Sequence, residues 1–175
     1  MIVHLVRHTR VNLPQGICYG QSDVPVMDNW EVDAQHIKQK FDYLDEPLVY
    51  SSPLIRCRLL AEKLSTRVNY DNRLKELNFG DWELKPWDEI SGAEAENWMN
   101  NFVITPCPNG ESYLDLYKRV KSFLNELSNC HDDEVIIVTH GGVIRAFVCM
   151  IQNIPLHKSF EINVNHGQIT SLALP

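Results

Sequence analysis

Positive charge is scarce in this 175-residue chain: 16 Lys and Arg stand against 23 Asp and Glu, a formal net charge of −7. A surface of that sign repels nucleic acid and anionic membranes, so neither is expected as a partner. Any site for an anionic ligand must therefore gather its cations locally. Cysteine occurs five times, at Cys18, Cys57, Cys107, Cys130 and Cys149, but never in CxxC spacing. An odd, scattered set points to free thiols in a reducing compartment, with neither a disulfide frame nor a zinc site. No apolar run approaches membrane-spanning length, and the first strand pattern starts at Ile2, leaving no room for a signal peptide. A cytoplasmic location is the expectation. Internal repeats, low-complexity tracts and linkers are also missing, so residues 1–175 are expected to form one domain.

What is present is a pattern of apolar runs alternating with amphipathic stretches. Ile2–Val6, Leu48–Tyr50 and Val135–Thr139 read as buried strands, and Ile169–Leu174 as a weaker one. Between them, Trp30, Ala34, Ile37, Phe41 and Leu44 share one helical face, with Asp28 and Glu31 spaced as a capping box. SSPLIRCRLLAEKL starts with a Ser cap and a Pro at the first helical turn. A longer amphipathic helix runs from Tyr113 to Leu127, with Ser112 and Asp115 as its capping box, and GGVIRAFVCMIQ reads as a more buried helix. This alternation predicts an α/β fold, a three-layer α/β/α sandwich around a mostly parallel sheet. Asp81–Pro108 is less regular; it reads as an excursion over the end of the sheet, its tryptophans serving as packing residues.

Three of the strands end in polar signatures. The first runs into Arg7-His8, the second into Ser51-Ser52-Pro53 with Arg56 a turn later, and the third into His140-Gly141-Gly142. Ligands of open α/β sheets bind beyond the carboxyl ends of the strands, so parallel neighbours would bring two arginines and two histidines to one edge. Guanidinium forks suit the nonbridging oxygens of a phosphoryl group. A neutral imidazole is a competent nucleophile for phosphorus, and neighbouring arginines favour the neutral form. A second imidazole can stabilise charge on the phosphoryl oxygens. RLKELNFGDWEL offers Glu76, Asp81 and Glu83 as an acid for the leaving oxygen. The other histidines lack such company: His4 reads as a core histidine with a partner, and His36, His131, His157 and His166 as ordinary residues.

In order along the chain, LVRHT, SSPLIRCRLLAEKL, ELNFGDWE, PNGES and VTHGGVIR resemble the blocks of the histidine phosphatases, the superfamily of the phosphoglycerate mutases. The resemblance implies His8 as the phosphorylated nucleophile, Arg7, Arg56 and His140 around the phosphate, and Glu76 as proton donor, with Asp81 and Glu83 structural. It implies no cofactor and no metal. Within the superfamily, GICYGQSDVPV and NIPLHKSFEINVNHGQITSL are similar to the α-ribazole phosphatases of the cobalamin pathway, which act on a small phosphomonoester. On that likeness Asn12, Tyr19, Gly20, Gln21 and Gly141 are the expected substrate-side residues. Thr9 and Leu84 stand where the superfamily commonly has Gly. Alternatives are a broad-specificity phosphatase, a mutase of the same chemistry, and a non-catalytic binder of phosphorylated ligands. A metal-dependent phosphatase lacks paired ligand spacing, and a cysteine phosphatase is excluded because no Cys is followed by Arg six residues on. A homodimer through an edge strand is compatible with such a fold.

Overall fold

Hydrophobic alternation along β1 (Ile2–Arg7) divides its side chains between two cores: Val3 and Leu5 point into one, Val6 into the other. The same split occurs in β4 (Glu134–Thr139), with Val135 and Ile137 on one face and Ile136 and Val138 on the opposite face. A sheet with two apolar faces needs a helical layer on each. The computed structural model, which describes residues 1–174, supplies both. Helices α1 (Trp30–Gln39) and α2 (Ile55–Leu64) cover one face, and α4 (Tyr113–Leu127) and α5 (Gly141–Gln152) cover the other. A short α3 (Ala93–Asn101) belongs to the excursion. The remaining strands are β2 (Leu48–Ser51), β3 (Val68–Tyr70) and β5 (Ile169–Ala173).

The sheet order is β3-β2-β4-β1-β5. The first four strands are mutually parallel, and β5 returns antiparallel against β1. Registers place Arg7 opposite Thr139 and Ser51 opposite Val138, so the carboxyl ends of β1, β2 and β4 finish side by side. This is the convergence the strand-end pattern predicts.

Several local readings need correction. Asp28 and Glu31 form no capping box; α1 starts from Asn29 without a side-chain cap, and its helical span ends at Gln39. Phe41 still packs into the second core, from the turn that follows. Ser51 and Ser52 do not cap α2, and Pro53 lies ahead of its first turn, since Leu54 is the N-cap residue. The first free N–H, that of Ile55, donates to the Asp23 carboxylate at 2.8 Å, a residue 32 positions away. Strand β3 escapes sequence reading because VNY is three residues long and two of them are exposed. The Ser112–Asp115 capping box is present in full.

The excursion packs as an aromatic cluster. Trp98 lies 5.5 Å from Trp82 and 6.1 Å from Phe79, ring to ring, and Trp82 and Trp98 are buried. Leu84, beside this cluster, adopts φ of 64°, a left-handed conformation that costs a residue with a Cβ roughly 1–2 kcal/mol. Its side chain is 55% exposed, so little packing offsets that strain. Leu84→Gly is expected to stabilise the fold by up to about 1 kcal/mol, read as a raised urea midpoint at unchanged slope.

Candidate active site

Arg56 sits in the first turn of α2 with no exposed surface. Its Nη1 donates to the Ser22 carbonyl at 2.8 Å, its Nη2 to the Gly20 carbonyl at 2.5 Å, and its Nε to His140 Nδ1 at 3.3 Å. Carbonyls and an imidazole orient the guanidinium without neutralising it, and among the described residues no carboxylate pairs with it. Arg7, at the end of β1, donates to the Val164 carbonyl at 2.6 Å, while its buried Nε has no partner. Two unneutralised guanidinium groups at one sheet edge are costly to bury. Their shared geometry suits a dianion.

His8 is 1% exposed and held from both sides. Its backbone N–H donates to the Thr139 carbonyl at 3.0 Å, and its Nδ1 lies 2.7 Å from the Thr9 carbonyl. A carbonyl only accepts, so Nδ1 carries the proton and Nε2 presents a bare lone pair. Burial, then the Arg56 charge, hold the His8 pKa well below its ordinary value, so the ring is neutral at physiological pH. His140 is depressed in the same way, by burial and then by Arg56. Its Nδ1 accepts from Arg56, so Nε2 carries the proton and donates to Ser52 Oγ at 2.8 Å. Ser52 Oγ thus accepts from His140 and also, at 3.4 Å, from the N–H of Leu54 just ahead of α2.

Glu76 reaches the same cavity from the segment after β3. Its carboxyl oxygens accept from the Leu77 N–H at 2.9 Å and the Gly142 N–H at 3.0 Å. A Cβ on Gly142 would overlap Glu76 Oε1, so the second glycine of the HGG run is needed for this approach. Arg119 of α4 fixes the segment by donating to the carbonyls of Arg73, Lys75 and Glu76 at 2.6, 2.6 and 2.9 Å, and its charge is paired with Glu111. The PNGES block therefore acts through Glu111 as a brace for Glu76.

Arg7, His8, Arg56, Glu76 and His140 line one cavity of about 250 Å³. Beyond them its wall is Tyr19, Phe79, Trp87, Phe160 and Arg145, with Leu77 at the base of the Glu76 segment. Trp87 is thus a pocket residue as well as a packing residue. A larger hollow of about 440 Å³ lies beneath β5, among His4, Phe41 and Tyr43. It gathers no comparable set of groups: His4 bonds Ser171 and Glu134 there, as a core histidine with partners.

The substrate-side expectations separate. Tyr19 lines the cavity, its ring 5.3 Å from the Arg56 guanidinium, and Gly141 abuts the Arg7 guanidinium. Gly20 contributes its carbonyl to Arg56; a Cβ there would strike the Leu77 carbonyl. Gln21 turns away, its side chain donating to the Glu76 carbonyl at 3.1 Å. Asn12 is exposed and is not brought to the cavity. Glu83 takes a structural place: its carboxylate gathers the backbone N–H groups of Gly20, Gln21, Ser22 and Phe79 and the Ser22 hydroxyl.

Two groups at the site had no signal in the sequence. Arg145 lines the cavity with its terminal nitrogens free of acceptors among the described residues, only Nε being engaged, by the Ile162 carbonyl. The His166 ring centroid lies 5.2 Å from that of His8, as close as His140 on another side. Arg145 reads as one more helix residue and His166 as a loop polar residue until the fold is known.

Burial of neutral histidines has a thermodynamic signature. Above about pH 6.5 neither the folded nor the unfolded chain protonates them, and pH has no leverage through these groups. Below it the unfolded chain binds protons that the buried rings of His8 and His140 refuse. Stability then falls by up to about 1.4 kcal/mol per pH unit for each. The more exposed His166, lowered by partial desolvation and by the Arg7, Arg10 and Arg56 charges, adds a smaller effect in the same direction. The urea midpoint is expected to drop between pH 7 and pH 5; a flat midpoint across that range contradicts the neutral assignment.

Comparison with known proteins gives this geometry a family. Residues 3–174 match the model of the histidine phosphatase superfamily (branch 1). A Hydrogenobacter thermophilus protein named provisionally as phosphoserine phosphatase 2 is 31% identical over 97% of this chain and 88% of its own length. Adenosylcobalamin/alpha-ribazole phosphatase of Escherichia coli K12 is 27% identical over 95% of this chain and 87% of its own. The crystal structure of the alpha-ribazole phosphatase from Shigella flexneri superposes with a TM-score of 0.89 at 25% identity, covering 100% of this chain and 91% of that one. With a match spanning nearly every residue, four of the five ordered blocks lining one cavity and the fifth bracing it, this chain belongs to the histidine phosphatase superfamily.

Proposed function

We propose that the protein is a phosphomonoesterase working through a phosphohistidine on His8, and that its substrate is α-ribazole 5′-phosphate or its corrinoid-linked form. The observation that carries the reaction is the unneutralised, fully buried Arg56 beside a histidine whose Nε2 lone pair is free. Arg7 and Arg56 bind the phosphoryl oxygens, and His140 joins them by turning its Nε2–H from Ser52 Oγ to a phosphoryl oxygen. The His8 Nε2 attacks phosphorus, the bond from phosphorus to the ester oxygen breaks, and Glu76 gives its proton to the departing alkoxide. Glu76, now a carboxylate, takes a proton from water as that water attacks phosphorus. The N–P bond breaks, inorganic phosphate leaves, and His8 recovers its lone pair.

The substrate assignment is supported by the α-ribazole phosphatases among the relatives and by the wall of Tyr19, Phe79, Trp87 and Phe160, which suits a flat, apolar base. One observation favours a second reading. The free terminal nitrogens of Arg145 suit a carboxylate, as carried by phosphoserine, the compound named in another relative.

A phosphate-release assay on α-ribazole 5′-phosphate, phosphoserine, 3-phosphoglycerate and p-nitrophenyl phosphate tests both. The expected result is the highest kcat/KM for α-ribazole 5′-phosphate. Preference for phosphoserine that is lost in Arg145→Gln establishes the second reading instead. Glu76→Gln is expected to lower kcat on alkyl esters by about 10²–10⁴-fold, and far less on p-nitrophenyl phosphate, whose leaving group needs little protonation. No release from any ester contradicts the proposal as a whole.

A further inference from the structure

We propose that His166 is a third imidazole of the phosphoryl pocket, paired with the Tyr19 hydroxyl until substrate binds and then turned into a hydrogen-bond donor to the phosphoryl group. This deepens the function proposed above and rests on it.

The turn that carries His166 is fastened to the nucleophile's own backbone. The Gly167 N–H is shared between the carbonyls of Arg7 and His8 at 3.1 and 3.2 Å, and the Arg7 N–H donates to the Gln168 carbonyl at 3.1 Å. The Gln168 side chain closes the turn by accepting from the Asn165 N–H at 2.8 Å. His166 is thus held over His8 by the same strand pairing that aligns β1 with β5. Its Nε2 lies 3.3 Å from the Tyr19 hydroxyl, and the Tyr19 ring sits over Arg56. This phenol–imidazole contact links the loop after β1 to the turn before β5, across the cations that would hold the phosphate. Among the described residues neither ring nitrogen of His166 has another hydrogen-bond partner.

The charges around His166 explain how the pair would respond. Arg7 faces it from β1, Arg10 and Tyr19 from the following loop, and Arg56 from α2. His166 itself is exposed and lines the hollow next to the His8 cavity, where Asp33 and His36 face it from α1, with the Asp33 carboxylate engaged by Arg10 Nε at 3.1 Å. Despite that exposure, partial desolvation and the guanidinium charges lower the His166 pKa, so the ring is neutral. A phosphoryl dianion between Arg7 and Arg56 reverses the sign of that field. The imidazole then binds a proton from solvent, and its Nε2–H donates to a phosphoryl oxygen in place of the Tyr19 contact. Tyr19 is released toward the substrate-facing wall that it lines.

Histidine side-chain NMR of the full chain, titrated with pH with and without inorganic phosphate, tests this, with His166→Gln used for assignment and for phosphate affinity. Phosphate is expected to raise the His166 pKa toward neutrality. His166→Gln, which keeps a hydrogen-bonding side chain but no charge, is expected to weaken phosphate binding about tenfold, the scale of a charge-assisted hydrogen bond. Phosphate that moves His8 and His140 but not His166, or an unchanged affinity in His166→Gln, overturns the inference and leaves the proposed function standing. Phosphate that moves none of the three overturns both.

Discussion

A guanidinium buried without a counter-charge is the constraint around which this protein is arranged. Among the described residues Arg56 is hydrogen-bonded only to carbonyls and an imidazole, so its charge stays available while its geometry is fixed. Maintaining that state requires the Gly20–Ser22 loop to aim two carbonyls inward. Glu83 makes this possible by gathering the loop's N–H groups on the other side. Gly20 permits the close approach to Leu77 that the loop needs. The acidic surface, with its net charge of −7, surrounds this cationic point and does not neutralise it.

The same cations set the chemistry of the imidazoles. A histidine nucleophile must be unprotonated, and no base beside His8 takes its proton. Burial and the Arg56 field keep the ring neutral, and the Thr9 carbonyl selects the tautomer that leaves Nε2 free. Glu76 is positioned by a separate system: Arg119 and Glu111 brace its segment, and the Gly142 N–H at the start of α5 fixes its carboxylate. The nucleophile and the acid therefore hang from different parts of the fold, β1 and the β3–α3 connection. They meet because the parallel register brings the strand ends together.

Much of this was legible from residue order alone. Strands that end in Arg7-His8, Ser51-Ser52 and Thr139-His140 announce a polar edge, because apolar runs mark the strands and the topology of parallel sheets places their ends together. The parts that were not legible depend on long-range contact. Asp23 caps α2 from 32 residues away, so no local pattern signals it. Glu83 looked structural, but which backbone it served was hidden until the Gly20–Ser22 loop was seen folded over it. His166 read as ordinary because its partners, Tyr19 and His8, lie more than a hundred residues earlier. Asn12 and Gln21 lie near Tyr19 in sequence, yet the loop turns Asn12 to solvent and Gln21 to the Glu76 carbonyl.

The central claim is that buried cations make His8 a nucleophile toward phosphorus. Rapid acid-free quenching of the enzyme during turnover of a ³²P-labelled phosphomonoester, followed by peptide mapping, measures it directly. The account predicts acid-labile, base-stable label on the peptide containing His8, formed no more slowly than phosphate is released and absent from His8→Asn. Continued turnover by His8→Asn, or label carried by a different residue, would contradict it.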